Sequence, residues 1–299
     1  MLLIVVAGFG QDDKKPEKIS AEELVSRHLA SIGTPDALAA IKSRVLVGEG
    51  TLGTVKNYVG SLAGPVQLAS DSERHLFVML FNSNEYPYEK AAYDGKNSSV
   101  GLPNGKRTAL SEFLKAKNSI LEEGLFGGAL SSAWPLLDVK GKKAKIEYAG
   151  TVKAADRYLY KLKYSPRGDT LRVSFFFDPE NFRHVLTEYH YTVDTKLGVS
   201  STDIQAQKDY YTLTETFSDF KRVGDITLPF LYTISIDVQR GSRDSVQITP
   251  GQALPGGTRV VTPVPGRPLP AGTGALLFTV KLGQVFFNEP LDAGVFKVS

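Results

Sequence analysis

The chain has 299 residues, with 35 Lys and Arg against 32 Asp and Glu, a formal charge of +3, 42% apolar and 22% charged residues, and no cysteine. That balance excludes a strongly basic nucleic-acid binder and a chain disordered throughout. The missing thiols exclude disulfides, zinc–thiolate and iron–sulfur sites, and cysteine nucleophiles.

Residues 1–10 (MLLIVVAGFG) form an apolar run that reaches only ~15 Å as a helix, about half a bilayer core. Small residues at Gly8 and Gly10 fit a signal-peptidase site before Gln11, after which Asp12, Asp13, Lys14 and Lys15 follow. The run reads as a signal-peptide remnant, with a buried N-terminal strand as the alternative, and 11–19 as a linker. Export, in a bacterium to the periplasm, is the expectation. No later segment reaches 18 apolar residues, so no transmembrane span is expected.

Ser20-Ala21-Glu22-Glu23 matches a capping box, and Leu24, Val25, His28, Leu29 and Ile32 then form one helical stripe ended by Gly33. Thr34-Pro35 starts a second short helix through about Ile41. From Ser43 the period becomes two. Segments 43–52, 56–62, 65–70, 74–81, 86–93 and 97–102 read as strands, punctuated by Asp94-Gly95 and Asn104-Gly105.

Residues 108–137 read as helix, with a capping-box match at Ser119–Glu122 and apolar positions at Phe113, Leu121 and Phe126. Gly124, Gly127 and Gly128 weaken it, and the single tryptophan, Trp134, stands close behind. Two readings stay open here: a mobile lid, or an ordinary helix covering a sheet.

From Lys145 strands return without intervening helices, which predicts an antiparallel meander whose sequence neighbours pair. Alternation puts Tyr158, Tyr160, Leu162 and Tyr164 on one side, then Val173, Phe175 and Phe177, then Val185, Tyr189 and Tyr191. Tyr211, Leu213 and Phe217 follow, then Phe230, Tyr232, Ile234 and Ile236. Residues 249–274 hold six prolines and six glycines, which predicts a surface loop inserted before a last strand at 275–287.

The patterns for chemistry are weak. No nucleophile elbow, Walker loop, dinucleotide fingerprint or zinc-protease motif is present. His184, Glu188 and His190 share one face of a regular strand, yet the two histidines would stand ~20 Å apart, too far to share an ion. They are expected on a solvated outer face, and His28 is expected to pack within the helix stripe. Lysines 140, 142, 143 and 145 form a basic turn. The expectation is therefore a binding protein, neither an enzyme nor a metal or cofactor carrier.

What remains is an apolar sheet face. A curved antiparallel sheet must cover such a face with helices, with a ligand, or with both, and two short helical regions look too few to fill it. The predicted liners are Tyr160, Leu162, Val173, Phe175, Tyr189, Tyr191, Leu213, Phe217, Tyr232 and Ile234 from the sheet, with Phe113, Leu121, Phe126 and Trp134 from the cover. The expected occupant is an apolar guest. The alternative is an envelope protein-interaction module whose cavity is filled by its own helices.

Three segments, 175–186 (FFFDPENFRHVL), 217–229 (FSDFKRVGDITLP) and 287–296 (FNEPLDAGVF), occur in this order. They resemble the outer-membrane lipoprotein-sorting (LolA/LolB-like) superfamily and its exported relatives, and 21–50, with RHLASIG at 27–33, is similar to a subgroup of those relatives. The resemblance implies an α+β fold: a strongly curved antiparallel sheet, an incomplete β-barrel of about eleven strands, with helices over its concave face. It implies one domain over 20–299 interrupted by the 249–274 loop, and carriage of a lipid, acyl chain or lipidated protein without catalysis.

Overall fold

The computed structural model describes residues 16–54, 62–71, 73–84, 86–101, 108–154, 157–166, 168–197, 205–240 and 276–297. The readings of 1–10 as a signal remnant, of Asn104-Gly105 as a turn and of 249–274 as a loop lie outside the described residues.

Helix α1 (Ala21–Ile32) begins where Ser20 accepts a hydrogen bond from the Glu23 amide at 3.0 Å. The reciprocal arm of the expected capping box is absent, because the Glu23 carboxylate pairs instead with Arg27. Gly33 ends the helix in an extended conformation. Its need is for space: a Cβ there would stand 3.0 Å from Ile226, with which Gly33 forms an isolated bridge. Helix α2 (Pro35–Ala40) has Thr34 as its cap and proline at its start.

Among the described residues, twelve antiparallel strands form one open sheet. In chain order they are β1 (Ser43–Thr54), β2 (Leu62–Asp71), β3 (Arg74–Leu80), β4 (Tyr88–Tyr93), β5 (Ser98–Gly101), β6 (Lys145–Ala154), β7 (Arg157–Ser165), β8 (Arg172–Phe177), β9 (His184–Leu197), β10 (Gln205–Val223), β11 (Ile226–Arg240) and β12 (Leu276–Phe287). The spatial order is β5-β4-β3-β2-β1-β12-β11-β10-β9-β8-β7-β6. Sequence neighbours pair within β1–β5 and within β6–β12, as a meander requires. The one non-local join is β12 on β1, from Arg44 opposite Phe287 to Thr54 opposite Leu276. Edge strands β5 and β6 stay unpaired to each other, so the curved sheet is not a closed barrel.

Two sequence expectations need correction. The expected strand 65–70 is part of a longer one, β2, which begins at Leu62 and runs through Gly64-Pro65; the expected strand 56–62 lies, apart from Leu62, outside the described residues. Strand β3 joins β2 only from Val66 onward, so the missing donor of Pro65 breaks no bond on that side. Residues 108–137 are not one helix. They give α3 (Ala109–Ala116), α4 (Ser119–Glu122) and 3₁₀ turns at Gly128–Leu130 and Pro135–Asp138.

The cap of α3 is Thr108, which accepts from the Ser111 amide while the Ser111 hydroxyl accepts from the Thr108 amide. The predicted box at Ser119 does not form. Ser119 lies inside α4 and donates to Asp169 Oδ2, and Glu122 accepts from Asn118 instead. Together 108–138 make a cover over the concave face, and the core lies between cover and sheet.

Candidate functional site: a cover latched to the concave face

Strand register collects the sheet-borne liners on adjacent rungs. One rung runs Leu162, Phe175, Thr187, Glu215, Ile234, Phe278, Leu52 across seven strands. The next carries Tyr164, Val173, Tyr189, Leu213 and Ile236. On the other side Phe217 stands opposite Tyr232, their rings stacked at 5.2 Å. Tyr160 faces Phe177 and stacks on Phe182 nearer the rim. The liners do share the concave face.

They do not line an open cavity. Every one of the fourteen except Tyr191 is buried, nine of them to 1% exposure or less. Phe113 meets Tyr191 edge-on at 5.0 Å, Phe126 lies between Phe77 and Tyr232, and Trp134 packs on Phe175 at 4.7 Å and on His184 at 5.0 Å. A void bordered by His28, His184 and Phe217 measures about 10 Å³, the room of one water. The expectation of spare room is corrected: a cover short of regular helix still delivers Phe113, Leu121, Phe126 and Trp134 to the face, and these fill it.

The cover is held through its backbone by buried polar groups. Glu215, with no exposed surface, accepts the Gly127 amide at 2.8 Å, the Tyr189 hydroxyl at 2.5 Å and the Tyr232 hydroxyl. Tyr189 also lies 3.0 Å from the Leu125 carbonyl. Gly127 and Gly128 reach this geometry at φ +82° and +51°, where a side chain is strained. A Cβ on Gly128 would press within 3.0 Å of both His184 and Phe217.

On β1, Arg44 donates Nη1 to the carbonyls of Ala129 and Ser131, and the Ser132 amide donates to Ser70 at 2.8 Å. At the far end Tyr164 donates to Glu123, and Lys117 pairs with Asp169 at 2.9 Å. Glu89 accepts from Tyr86 and from Thr108, the cap of α3.

Burial decides the protonation of these groups. Desolvation pushes Glu215 up to about 7 against the three donors that favour its charge, and Glu89 likewise to about 7. It holds Tyr189 and Tyr232 well above the ordinary phenol value, so both remain donors. Arg44 is lowered to about 10 and stays charged.

Tyr189 has one hydrogen and two acceptors in reach. With a proton on Glu215 Oε2, the carboxyl donates to Tyr189 and Tyr189 donates to Leu125, and every group is satisfied. Once Glu215 ionises, that single hydrogen serves either the carboxylate or the cover.

Histidine geometry departs from the sequence reading in one place. A bulge between Phe176 and Phe177 adds one residue to β9, so His184 faces inward while Glu188 and His190 face out. The outward pair sit 3.4 Å apart at the half-exposed surface. His184 is buried, with Nε2 2.8 Å from the Thr187 hydroxyl and Nδ1 unpartnered. His28 packs as expected: Nδ1 donates to the Phe182 carbonyl at 3.0 Å and Nε2 accepts from Trp134 at 3.4 Å. That tautomer is neutral, and desolvation lowers His28 to about 4. Among the described residues no three histidine or carboxylate side chains gather as a metal site.

Glu215 and Arg44 escaped the sequence reading, although each carries a usable signal. Glu215 occupies the alternating position between Leu213 and Phe217, and Arg44 the one before Leu46. A charge on the apolar register of a strand marks a buried polar function.

No family model and no curated protein matches the sequence. Among solved structures the chain is similar to a LolA superfamily protein from Nitrosomonas europaea, at 11% identity and a TM-score of 0.45 over 94% of this chain and 99% of that one. It is similar as well to a DUF1329 family protein from Desulfovibrio piger, at 10% identity and a TM-score of 0.45 over 95% and 98%.

Proposed function

We propose that the protein binds a lipid, acyl chain or lipidated partner between sheet and cover, without catalysis, and that the packed arrangement is its closed form. The observation that supports this is how the cover is attached. Two buried ionisable groups, Glu215 and Arg44, hold the glycine-rich part of the cover by its backbone atoms, whereas Phe113, Leu121 and Phe126 meet the sheet through apolar contacts that an acyl chain would replace. Buried charges are poor stabilisers compared with apolar packing, so a permanent plug gains nothing from them. A cover that must leave and return does, because polar contacts specify one closed position. We read residues 20–299 as one exported unit acting in the periplasm, on the strength of the 1–10 pattern.

A second reading, an envelope interaction module filled by its own cover, draws on the filled interface itself. A neutral fluorescent diacylglycerol separates the two. Carrier function predicts saturable binding of one molecule, displacement of Phe126 and Trp134 from the sheet, and a red shift of emission from Trp134, now 1% exposed. Tyr189→Phe, which takes a hydrogen bond from the cover, should bind faster. Protein recovered lipid-free from a bacterial periplasm, with neither wild type nor Tyr189→Phe binding the probe, would reject the carrier and leave the module.

A further inference from the structure

Between α1, α2 and the outer side of the cover lies a cleft of about 530 Å³, within the ~300–1,000 Å³ typical of small-ligand sites. Its walls are apolar: Leu29 and Ala30 from α1, Leu38 and Ala39 from α2, then Ile41 and Leu137. Four polar residues line it as well, Ser26, Lys42, Arg44 and Ser132. Two of them are incompletely satisfied, for Arg44 Nε and Ser132 Oγ are buried atoms with no hydrogen-bond partner.

Arg44 is 2% exposed, and among the described residues no carboxylate pairs with it; its acceptors are two carbonyls of the cover. A buried cation with an idle donor and no countercharge is costly unless an anion completes it. The cleft offers that anion a way in, and Lys42 adds a second positive charge.

We propose that this cleft binds a single-chain anionic amphiphile, its carboxylate or phosphate head on Arg44 Nε and Ser132 Oγ beside Lys42, and its alkyl chain along the α1–α2 wall. A guanidinium meets either head through charge-assisted hydrogen bonds. The apolar wall accounts for the chain. This site lies outside the cover and does not depend on the cover opening.

Calorimetric titration at pH 7.5 with monomeric dodecanoate, dodecyl phosphate, dodecanol and dodecyltrimethylammonium tests it. One equivalent of dodecanoate or dodecyl phosphate should bind, with dodecanol at least tenfold weaker and the cation weaker still; the tighter of the two acids identifies a fatty acid or a monoalkyl phosphate as the source. Ala39→Trp, at an exposed position on the cleft wall, should weaken both acids at least tenfold while the thermal midpoint stays unchanged. Ser132→Ala should weaken them severalfold. Dodecanol binding within twofold of dodecanoate would overturn the anion site. Undiminished binding to Ala39→Trp would place the ligand elsewhere, and so tells failure of the cleft apart from failure of binding beneath the cover.

Discussion

Glu215 sits midway along a rung that is apolar but for its neighbour Thr187, and its carboxyl proton is the variable that links the sheet to the cover. Its folded value, about 7, lies above the ordinary 4.5. Stability from such a group is complete below the unfolded value and is lost as pH rises through the folded one. Glu89, also raised to about 7, acts in the same direction. The buried histidines act in the opposite one: His28 and His75 are lowered to about 4 and His184 well below 6.5, so acidification from 6.5 toward 4 protonates the unfolded chain first and removes stability. Wild type should therefore show a flatter profile than either set alone. Glu215→Gln keeps an acceptor for Gly127 and removes the titration. In urea unfolding its stability relative to wild type should rise between pH 4.5 and 8 by about 2–3 kcal/mol. Parallel profiles would mean that Glu215 is ionised in the fold. Sequence alternation already placed residue 215 on the concave side. What it did not show was the ring of donors, because Gly127, Tyr189 and Tyr232 meet the carboxylate only through register and cover placement.

At the scale of elements, the strands were legible and the cover was not. Alternation of large apolar residues over β7, β8, β10 and β11 survives in the burial of Leu162, Phe175, Leu213 and Ile234, since a strand's two faces are set locally. Strand β9 shows the limit: one bulge turned His184 inward against the regular pattern. In the cover, Leu110, Phe113 and Leu114 gave a true helical stripe. Beyond it the glycines decide the path, and positive φ values are invisible to a periodicity argument. Comparing two glycines isolates what the path requires. Gly150, at φ +89°, has nothing within 4 Å of a Cβ, whereas Gly128, at φ +51°, has His184 and Phe217. Gly150→Ala should cost about 1 kcal/mol, the strain of the left-handed backbone alone. Gly128→Ala should cost at least about twice that, since it adds overpacking, and should speed hydrogen exchange at the Gly127 amide. Equal costs would show that Gly128 is there for its backbone and not for its fit.

The whole molecule is two meanders, β1–β5 and β6–β12, joined along one seam between β1 and β12. Each meander follows from the rule that sequence neighbours pair. The seam does not, because it joins residues more than two hundred positions apart and no local pattern announces such a partner. Its geometry makes a prediction about the connection that leads into it. Strand β11 pairs with β12 from Leu231 opposite Lys281 to Ile236 opposite Leu276, and continues to Arg240 along β10. The ends to be joined, Arg240 and Leu276, are therefore four residues of strand and one strand spacing apart, roughly 15 Å. An eight-residue Gly/Ser linker reaches ~26 Å and spans it. Replacing 241–275 with that linker shortens the connection about fourfold, and at ~0.6 kcal/mol for each halving it should stabilise the fold by about 1 kcal/mol. For a chain of this size that raises the thermal midpoint by about 2 °C, with amphiphile binding at the α1–α2 cleft unchanged because no residue of that cleft lies in the segment. A shortened protein that fails to fold would show that 241–275 carries contacts the seam needs. One that folds but loses binding would tie the segment to the site.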